Sequence, residues 1–197
     1  MDQIRAWASI VFAGTDLEGC STKHLSEAEL AHAMLHLQQQ IVPTNCCLDA
    51  LVLRAPNGAR IQPTKATLTV EGGLIGDRWS QGKAKPGDQV SMMNLDVAYT
   101  IANGQSVVLF GDNLFTRMDL SESALPVGRC LHIGGVVLEV SAKPHVPCGQ
   151  FKGRFGQAAF TMAAKNQRIR GIYLTVLKGG EVQLGDPIRV MEASTTS

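Results

Sequence analysis

The sequence predicts a mainly β fold, a barrel or sandwich with a few short helices and an N-terminal helical extension. Three observations predict it. From Leu48 onward, short runs of apolar and β-branched residues are separated at close spacing by Gly, Asn and Asp turn signals. These runs do not alternate regularly with helical segments, which argues against a parallel α/β sheet. Residues 129–133 and 136–141 flank Gly134-Gly135, a two-residue link able to take the positive φ of a tight hairpin.

Taken in order, residues 4–12 form a strand or buried lead-in. Residues 26–40 carry the clearest helical pattern. Ser26 and Glu29 make a capping box, Leu25 and Leu30 a hydrophobic staple, and Pro43 ends the element. Leu30, Ala33, Met34, Leu37 and Ile41 share one stripe, so this helix packs on something. His32 and His36 lie on the opposite face without a third ligand, and solvent exposure is the preferred reading. Strands are expected at 48–53, 66–70, 89–94 and 106–110, with a turn at Asn57-Gly58. A loop around Gly72, Gly73 and Gly76 leads to Asp77-Arg78-Trp79. Residues 111–114 read as a turn before the 125–141 hairpin.

Residues 151–156 lead to a short helix at 157–165. A second Gly-Gly hairpin joins 172–177 to 181–184, and Gly185-Asp186-Pro187 turns into a last strand at 188–190. The expected organisation is an extension over 1–45, a β-barrel domain over 46–192 and a tail over 193–197.

With 197 residues and a formal net charge of +1, the chain can bury a real core and is neither a nucleic-acid binder nor a membrane-surface protein by charge. No stretch is long enough to span a bilayer. One local asymmetry stands out. Between Glu139 and Glu181 there is no acidic residue, while Lys143, Lys152, Arg154, Lys165, Arg168, Arg170 and Lys178 all fall there. That run is either an anion-attracting surface or a solvated basic face. The five cysteines (Cys20, Cys46, Cys47, Cys130 and Cys148) are odd in number and irregular in spacing. Free thiols in a reducing, cytoplasmic compartment fit this best. The apolar residues 6–14 lack the basic leader of a signal peptide.

The chemistry concentrates at Lys143-Pro144-His145-Val146-Pro147-Cys148-Gly149. Two prolines fix φ and remove two N–H groups, so the chain leaves the sheet here and holds Cys148 in a stiff loop. Lys143, His145, Lys152 and Arg154 are close in sequence, and nearby cations favour a thiolate. A thiolate is both a soft metal donor and a nucleophile. The competing reading is a small buried residue that stabilises a loop. Cys130 is expected in or near the core, and Cys20, Cys46 and Cys47 carry no assigned role. His145 can serve as metal ligand, proton donor or charge partner, with a substrate-facing or supporting position preferred over direct ligation. Arg154, Arg168 and Arg170 can grip a phosphate or simply solvate the surface. Asp77, Arg78, Asp112 and Asn113 sit in Gly-containing loops, and both Asp112 and Asp186 are assigned to turns.

The runs GLIGDRW, FGDNLFTRMDLSESALPVGRCLHIGGVVLEVSAKPHVPCGQFKGRFG and RGIYLTVLKGGEVQLGDPIRV resemble the MOSC domain, found at the C-termini of molybdenum-cofactor sulfurases and as stand-alone bacterial proteins. The resemblance spans about 48–190 and is most specific at GDNL, at LPVGxxLxIGxxxLEV with its proline-flanked cysteine, and at the terminal Gly-Asp turn. The helical stretch at 24–40 is similar to that of a bacterial stand-alone subset. Trp79 departs from the pattern, since many relatives carry His after GDR.

The resemblance implies a MOSC-like β-barrel whose characteristic cysteine is Cys148. In amidoxime-reducing relatives this cysteine ligates molybdenum of the pyranopterin cofactor, and N-hydroxylated compounds are reduced with electrons from a partner. The site expected from it has Cys148 as metal ligand, Cys148 and His145 as catalytic residues, and Arg78, Lys152, Arg154, Arg168, Arg170 and Asn113 around molybdenum cofactor. Two alternatives stand beside it. Cys148 could carry a persulfide supplied by a cysteine desulfurase, or the domain could be a non-catalytic anion-binding module. A small-molecule substrate and a separate redox partner are expected, because the chain has no flavin, haem or iron–sulfur segment.

Overall fold

A computed structural model describes residues 8–39, 46–81 and 87–191. The architecture is mainly β: thirteen strands in three sheets, with three α-helices packed outside among the described residues. The principal sheet has seven strands. Its order starts with β13 (Ile188–Val190), β9 (Cys130–Ile133), β10 (Val136–Val140) and β11 (Ile172–Lys178). It continues through β7 (Val90–Asn94), β8 (Leu114–Thr116) and β2 (Ala50–Leu51). All pairs are antiparallel except β7 with β8.

The two ends of this sheet meet. Leu48 N donates to Asp186 O at 2.9 Å, Gly185 N to Leu48 O at 2.9 Å and Ile188 N to Cys46 O at 2.8 Å. The chain entering β2 therefore bonds to the chain entering β13, and the sheet curls into a barrel whose end strands are not left open.

Two three-stranded sheets complete the β structure. One is β1 (Ala8–Phe12), β4 (Arg60–Pro63) and β3 (Leu53–Arg54); the other is β12 (Gly180–Gln183), β5 (Lys65–Thr69) and β6 (Gly73–Leu74). In β10, Val136, Leu138 and Val140 are buried while Val137 and Glu139 are half-buried, so the pleat sends the predicted face inward. Leu131, Ile133, Leu174 and Val176 meet them in the same core cluster. Each such fully buried side chain stabilises the fold by about 1.5–3 kcal/mol relative to exposure.

A second apolar cluster lies outside the barrel, between α1 (Glu27–Gln38), α2 (Leu95–Ala102) and α3 (Gly149–Lys165). The predicted start of α1 is present in full: Ser26 Oγ accepts from Glu29 N at 3.3 Å, and Glu29 Oε2 accepts from Ser26 N at 2.8 Å. Leu30 and Met34 are buried, while His32 and His36 face solvent. Ile41, Pro43 and residues 4–7 lie outside the described residues, as do the tail at 193–197 and the boundary expected at 45.

Several expectations are corrected. Residues 48–53 do not form one strand, because Val52 N turns aside to Asn113 O and β2 and β3 join different sheets. Residues 106–110 are not a strand: Val107–Phe110 is a 3-10 turn capped by Ser106, with all four side chains buried. A short, wholly apolar run does not distinguish strand from buried helix by periodicity. Helix α2 was unforeseen, although Asn94 announces it by accepting from Asp96 N and Val97 N.

The helix expected at 157–165 is present as the second part of α3, beyond a break at Gly156; the unforeseen part is the helical segment before that break, which starts at Gly149 with Cys148 as its N-cap. The second Gly-Gly hairpin also fails. Strand β11 has β10 on one edge and β7 on the other, so β12 has no free edge to join there and pairs with β5.

Candidate functional site

Cys148 stands where strand becomes helix. Strand β10 ends at Val140, the segment with Pro144 and Pro147 crosses the barrel rim, and α3 begins one residue after the cysteine. The cysteine backbone is extended (φ −110, ψ 176), its side chain makes no capping hydrogen bond, and the residue is exposed. It is presented to solvent rather than sealed among aliphatic side chains.

The thiol borders a cleft with a cavity volume of about 140 Å³. Five arginines line it: Arg54, Arg60, Arg78, Arg154 and Arg170. Among the described residues, no carboxylate does. Two lie behind the wall instead. Asp77 pairs with Arg54 (Nη2 to Oδ1, 2.8 Å) and also accepts from Arg54 N, Asn113 Nδ2 and Trp79 N at 2.9 Å each. Burial alone would raise the Asp77 pKa, but hydrogen bonds from Arg54 and its charge outweigh it and the net shift is downward. Asp112, assigned to a turn from sequence, is wholly buried and pairs with buried Arg170. Five guanidinium groups against two carboxylates leave the cleft strongly positive.

Arg60 shows the consequence most plainly. It is only 3 % exposed, and its Nη1 donates to the Gly58 carbonyl at 2.9 Å. Burial, followed by repulsion from Arg78, Arg154 and Arg54, pushes its pKa down to about 10. Its Nε has no hydrogen-bond partner, and neither does Arg170 Nε. Buried donors without acceptors are costly. Both belong to side chains that line the cleft.

His145 is 6 % exposed and forms part of the same wall. Its ring lies 4.1 Å from the Tyr173 ring, centroid to centroid. Its Nδ1 is 3.5 Å from Asp112 Oδ1, a distance that suits an ion pair. The ring is neutral all the same: desolvation and then Arg170 outweigh the attraction of Asp112, and the pKa falls to about 3. Asp112 is already matched by Arg170, so it has little charge to spare for a second cation. A second cleft of about 100 Å³ lies beside the first and shares His145 and Tyr173 with it.

The structure brings Cys148, His145, Arg78, Arg154 and Arg170 together and separates the other predicted residues from them. Lys152 is exposed on α3 and does not line the cleft. Arg168 borders the second cleft and pairs with Glu122. Asn113 is buried beneath, donating to Val52 O at 3.2 Å and accepting from Ser91 N at 3.2 Å. Much of the basic run is neutralised from elsewhere, Lys143 by Asp88, Arg168 by Glu122 and Arg170 by Asp112.

Sequence reasoning missed Arg54, Arg60 and Tyr173. Arg54 and Arg60 flank the predicted Asn57-Gly58 turn, and that pairing was the available signal. Trp79 donates from Nε1 to Asp88 Oδ1 at 2.7 Å. Asp88 in turn holds Lys143, whose Nζ lies 5.7 Å from the Tyr173 ring centroid. The indole thereby braces the wall of the cleft through Tyr173.

Comparison with known proteins adds the lineage. The MOSC domain model matches residues 90–189, just over half of the chain. No curated protein matches it by sequence. Similar crystal structures include YiiM from Escherichia coli (TM-score 0.55, 23 % identity, covering 77 % of this chain and 71 % of that one). YuaD from Bacillus subtilis is also similar (TM-score 0.58, 19 % identity, 75 % and 96 % covered), as is YiiM from Geobacillus stearothermophilus (TM-score 0.55, 14 % identity, 77 % of each). At these identities the likeness establishes the fold. Among the described residues, no helix is long and apolar enough to cross a membrane.

Proposed function

The chain belongs to the MOSC domain family, and from that premise we propose that it binds molybdenum cofactor, with the Cys148 thiolate as the protein's ligand to the metal and the arginine cleft as the seat of the cofactor phosphate. One observation carries the reading. An exposed cysteine stands at the rim of a cleft that, among the described residues, is lined by five arginines and no carboxylate.

The donor set fits this group. Among the described residues, no cluster of three His, Cys, Asp or Glu side chains could hold a bare metal ion. A lone thiolate suits a metal that arrives with most of its ligands already attached. The guanidinium groups that line the cleft suit phosphate oxygens. A cavity of about 140 Å³ is smaller than the roughly 300 Å³ of a typical small-molecule pocket, so it matches the phosphate end of the cofactor rather than the whole.

When bound, the cofactor supplies a molybdenum centre able to take oxygen from an N-hydroxylated compound in a two-electron reduction. The protein's own residues do the rest. Arg60, Arg78, Arg154 and Arg170 bind and orient the anion, with Arg170 itself fixed by Asp112 and by the Phe110 carbonyl. His145, held neutral and braced by Tyr173, keeps a fixed face toward the site. Electrons come from a separate redox partner.

Elemental analysis tests the reading. Protein purified from cofactor-competent cells is expected to carry molybdenum in near-stoichiometric amount, and Cys148→Ser to lose it. Metal-free protein that instead gains one sulfur on Cys148 after exposure to a cysteine desulfurase would replace the cofactor assignment with sulfur transfer.

A further inference from the structure

Arg154 lies in the cleft through contacts that come from far away in the chain. Its Nε donates to Leu17 O at 3.1 Å and its Nη1 to Leu109 O at 2.7 Å. Two residues further along α3, Gly156 leaves helical geometry (φ 89, ψ 172). A residue at such angles interrupts the helical ladder of carbonyl and amide bonds. The Arg154 carbonyl takes side-chain partners, His24 Nε2 at 3.1 Å and Gln105 Nε2 at 3.2 Å.

The His24 ring occupies the space that a side chain at Gly156 would need, since a Cβ there would lie 2.9 Å from the imidazole. Gly19 packs so closely on the Arg154 backbone that a Cβ has no room. Gln105 Oε1 also accepts from Cys20 N at 2.8 Å, tying down the same N-terminal segment. None of Leu17, Gly19, His24 and Gln105 lines the cleft.

Such holding has a physical purpose. Arg154 is partly desolvated and repelled by Arg78, and together these outweigh its attraction to Cys148 and lower its pKa, so its charge tends toward water. Two carbonyl acceptors and a fixed backbone counter that tendency. Because the carbonyl of Arg154 can only accept, the His24 proton in this contact sits on Nε2.

We propose that the N-terminal segment completes the binding site indirectly: His24, seated against Gly156, is a positioning residue that aims the Arg154 guanidinium into the cleft beside Cys148. The proposal rests on the reading of that cleft as an anion site and is indifferent to which anion fills it. The segment is thus a working part of the site rather than an appendage to the barrel.

The test uses the full chain without molybdenum. Alkylation of Cys148 by iodoacetate and by iodoacetamide is followed by peptide mass spectrometry, which separates Cys148 from the exposed Cys20. The ratio of the two rates reads positive potential at the sulfur. Arg154→Gln is expected to lower the ratio about two- to fivefold, and His24→Ala and Gln105→Ala to move it the same way. His24→Gln, which keeps a donor, is expected to hold the parental value.

A parental ratio in folded His24→Ala and Gln105→Ala overturns the proposal, as does an unchanged ratio in Arg154→Gln or a fall in His24→Gln as large as in His24→Ala. Gln105→Ala keeps the test decisive should His24→Ala not fold. Molybdenum content is read separately, so the cofactor assignment can fail while this pattern of ratios stands.

Discussion

Asp112 and His145 face one another across 3.5 Å inside the protein, and among the described residues neither Asp112 Oδ1 nor His145 Nδ1 has a hydrogen-bond partner. The other carboxylate oxygen is committed to Arg170. This buried trio joins the chain around GDNL, the proline-flanked loop and the 3-10 turn before β11, and it backs the wall that Cys148 overlooks.

Removing the carboxylate should expose how much that wall depends on it. Asp112→Asn leaves the buried Arg170 cation uncompensated, a change expected to cost about 3–5 kcal/mol. Denaturant titration measures it. Arg170→Met in the same chain is expected to recover most of the loss, because the buried charge is then gone. A double variant no more stable than Asp112→Asn would refute the pairing as the cause.

The His145 ring gives the fold an acid-sensitive window. Native His145 has its pKa pushed down to about 3 by burial and by Arg170, while in the unfolded chain it titrates near 6.5. Between those values the unfolded chain binds the extra proton. The contribution is therefore complete above about pH 6.5 and is lost as pH falls toward 3, by up to about 1.4 kcal/mol per pH unit. Asp77, whose pKa is lowered, contributes above its unfolded value and loses that only below about pH 4. Stability measured from pH 7 to 4.5 should fall less steeply for His145→Gln than for the parent.

Arg60 should matter to ligand more than to fold. A buried guanidinium that donates to the Gly58 and Ala59 carbonyls and, among the described residues, pairs with no carboxylate gains little from its position. Arg60→Met is expected to leave stability within about 1 kcal/mol of the parent, since an apolar side chain replaces a desolvated cation. Its affinity for pyrophosphate, measured by calorimetry, should drop roughly ten- to hundredfold, matching one charged hydrogen bond of about 1.5–3 kcal/mol. Equal affinities would remove Arg60 from the anion site.

Trp79 offers a milder check. Trp79→Phe removes the donor to Asp88 and should cost about 1 kcal/mol in thermal or denaturant unfolding. Trp79→His, which restores a ring donor, is expected to be closer to the parent. If the two variants behave alike, the hydrogen bond is not what the indole contributes.

Much of the barrel was legible because its signals are local. The Gly134-Gly135 hairpin, the inward face of β10, the Ser26–Glu29 cap and the turn at Gly185-Asp186 each depend on residues a few positions apart. Where periodicity was weak, reading failed: Val107–Phe110 looked like a strand, and α2 went unseen behind β-branched Val97 and Ile101. Pairing partners were harder still, since β12 leaves its sequence neighbour only because both edges of β11 are taken.

The sequence by itself determined the mainly β class, the family, and the presence of one cysteine in a proline-stiffened segment beside histidine and basic residues. Only tertiary structure decided which charges that cysteine meets. Arg54 and Arg60 arrive from almost a hundred positions away and Leu17 from further still. Asp88, Asp112 and Glu122 cancel cations that look free along the chain. Charge acts through distance and burial, and neither is written in the order of residues; both appear when the sheet closes and one wall gathers what the chain had kept apart.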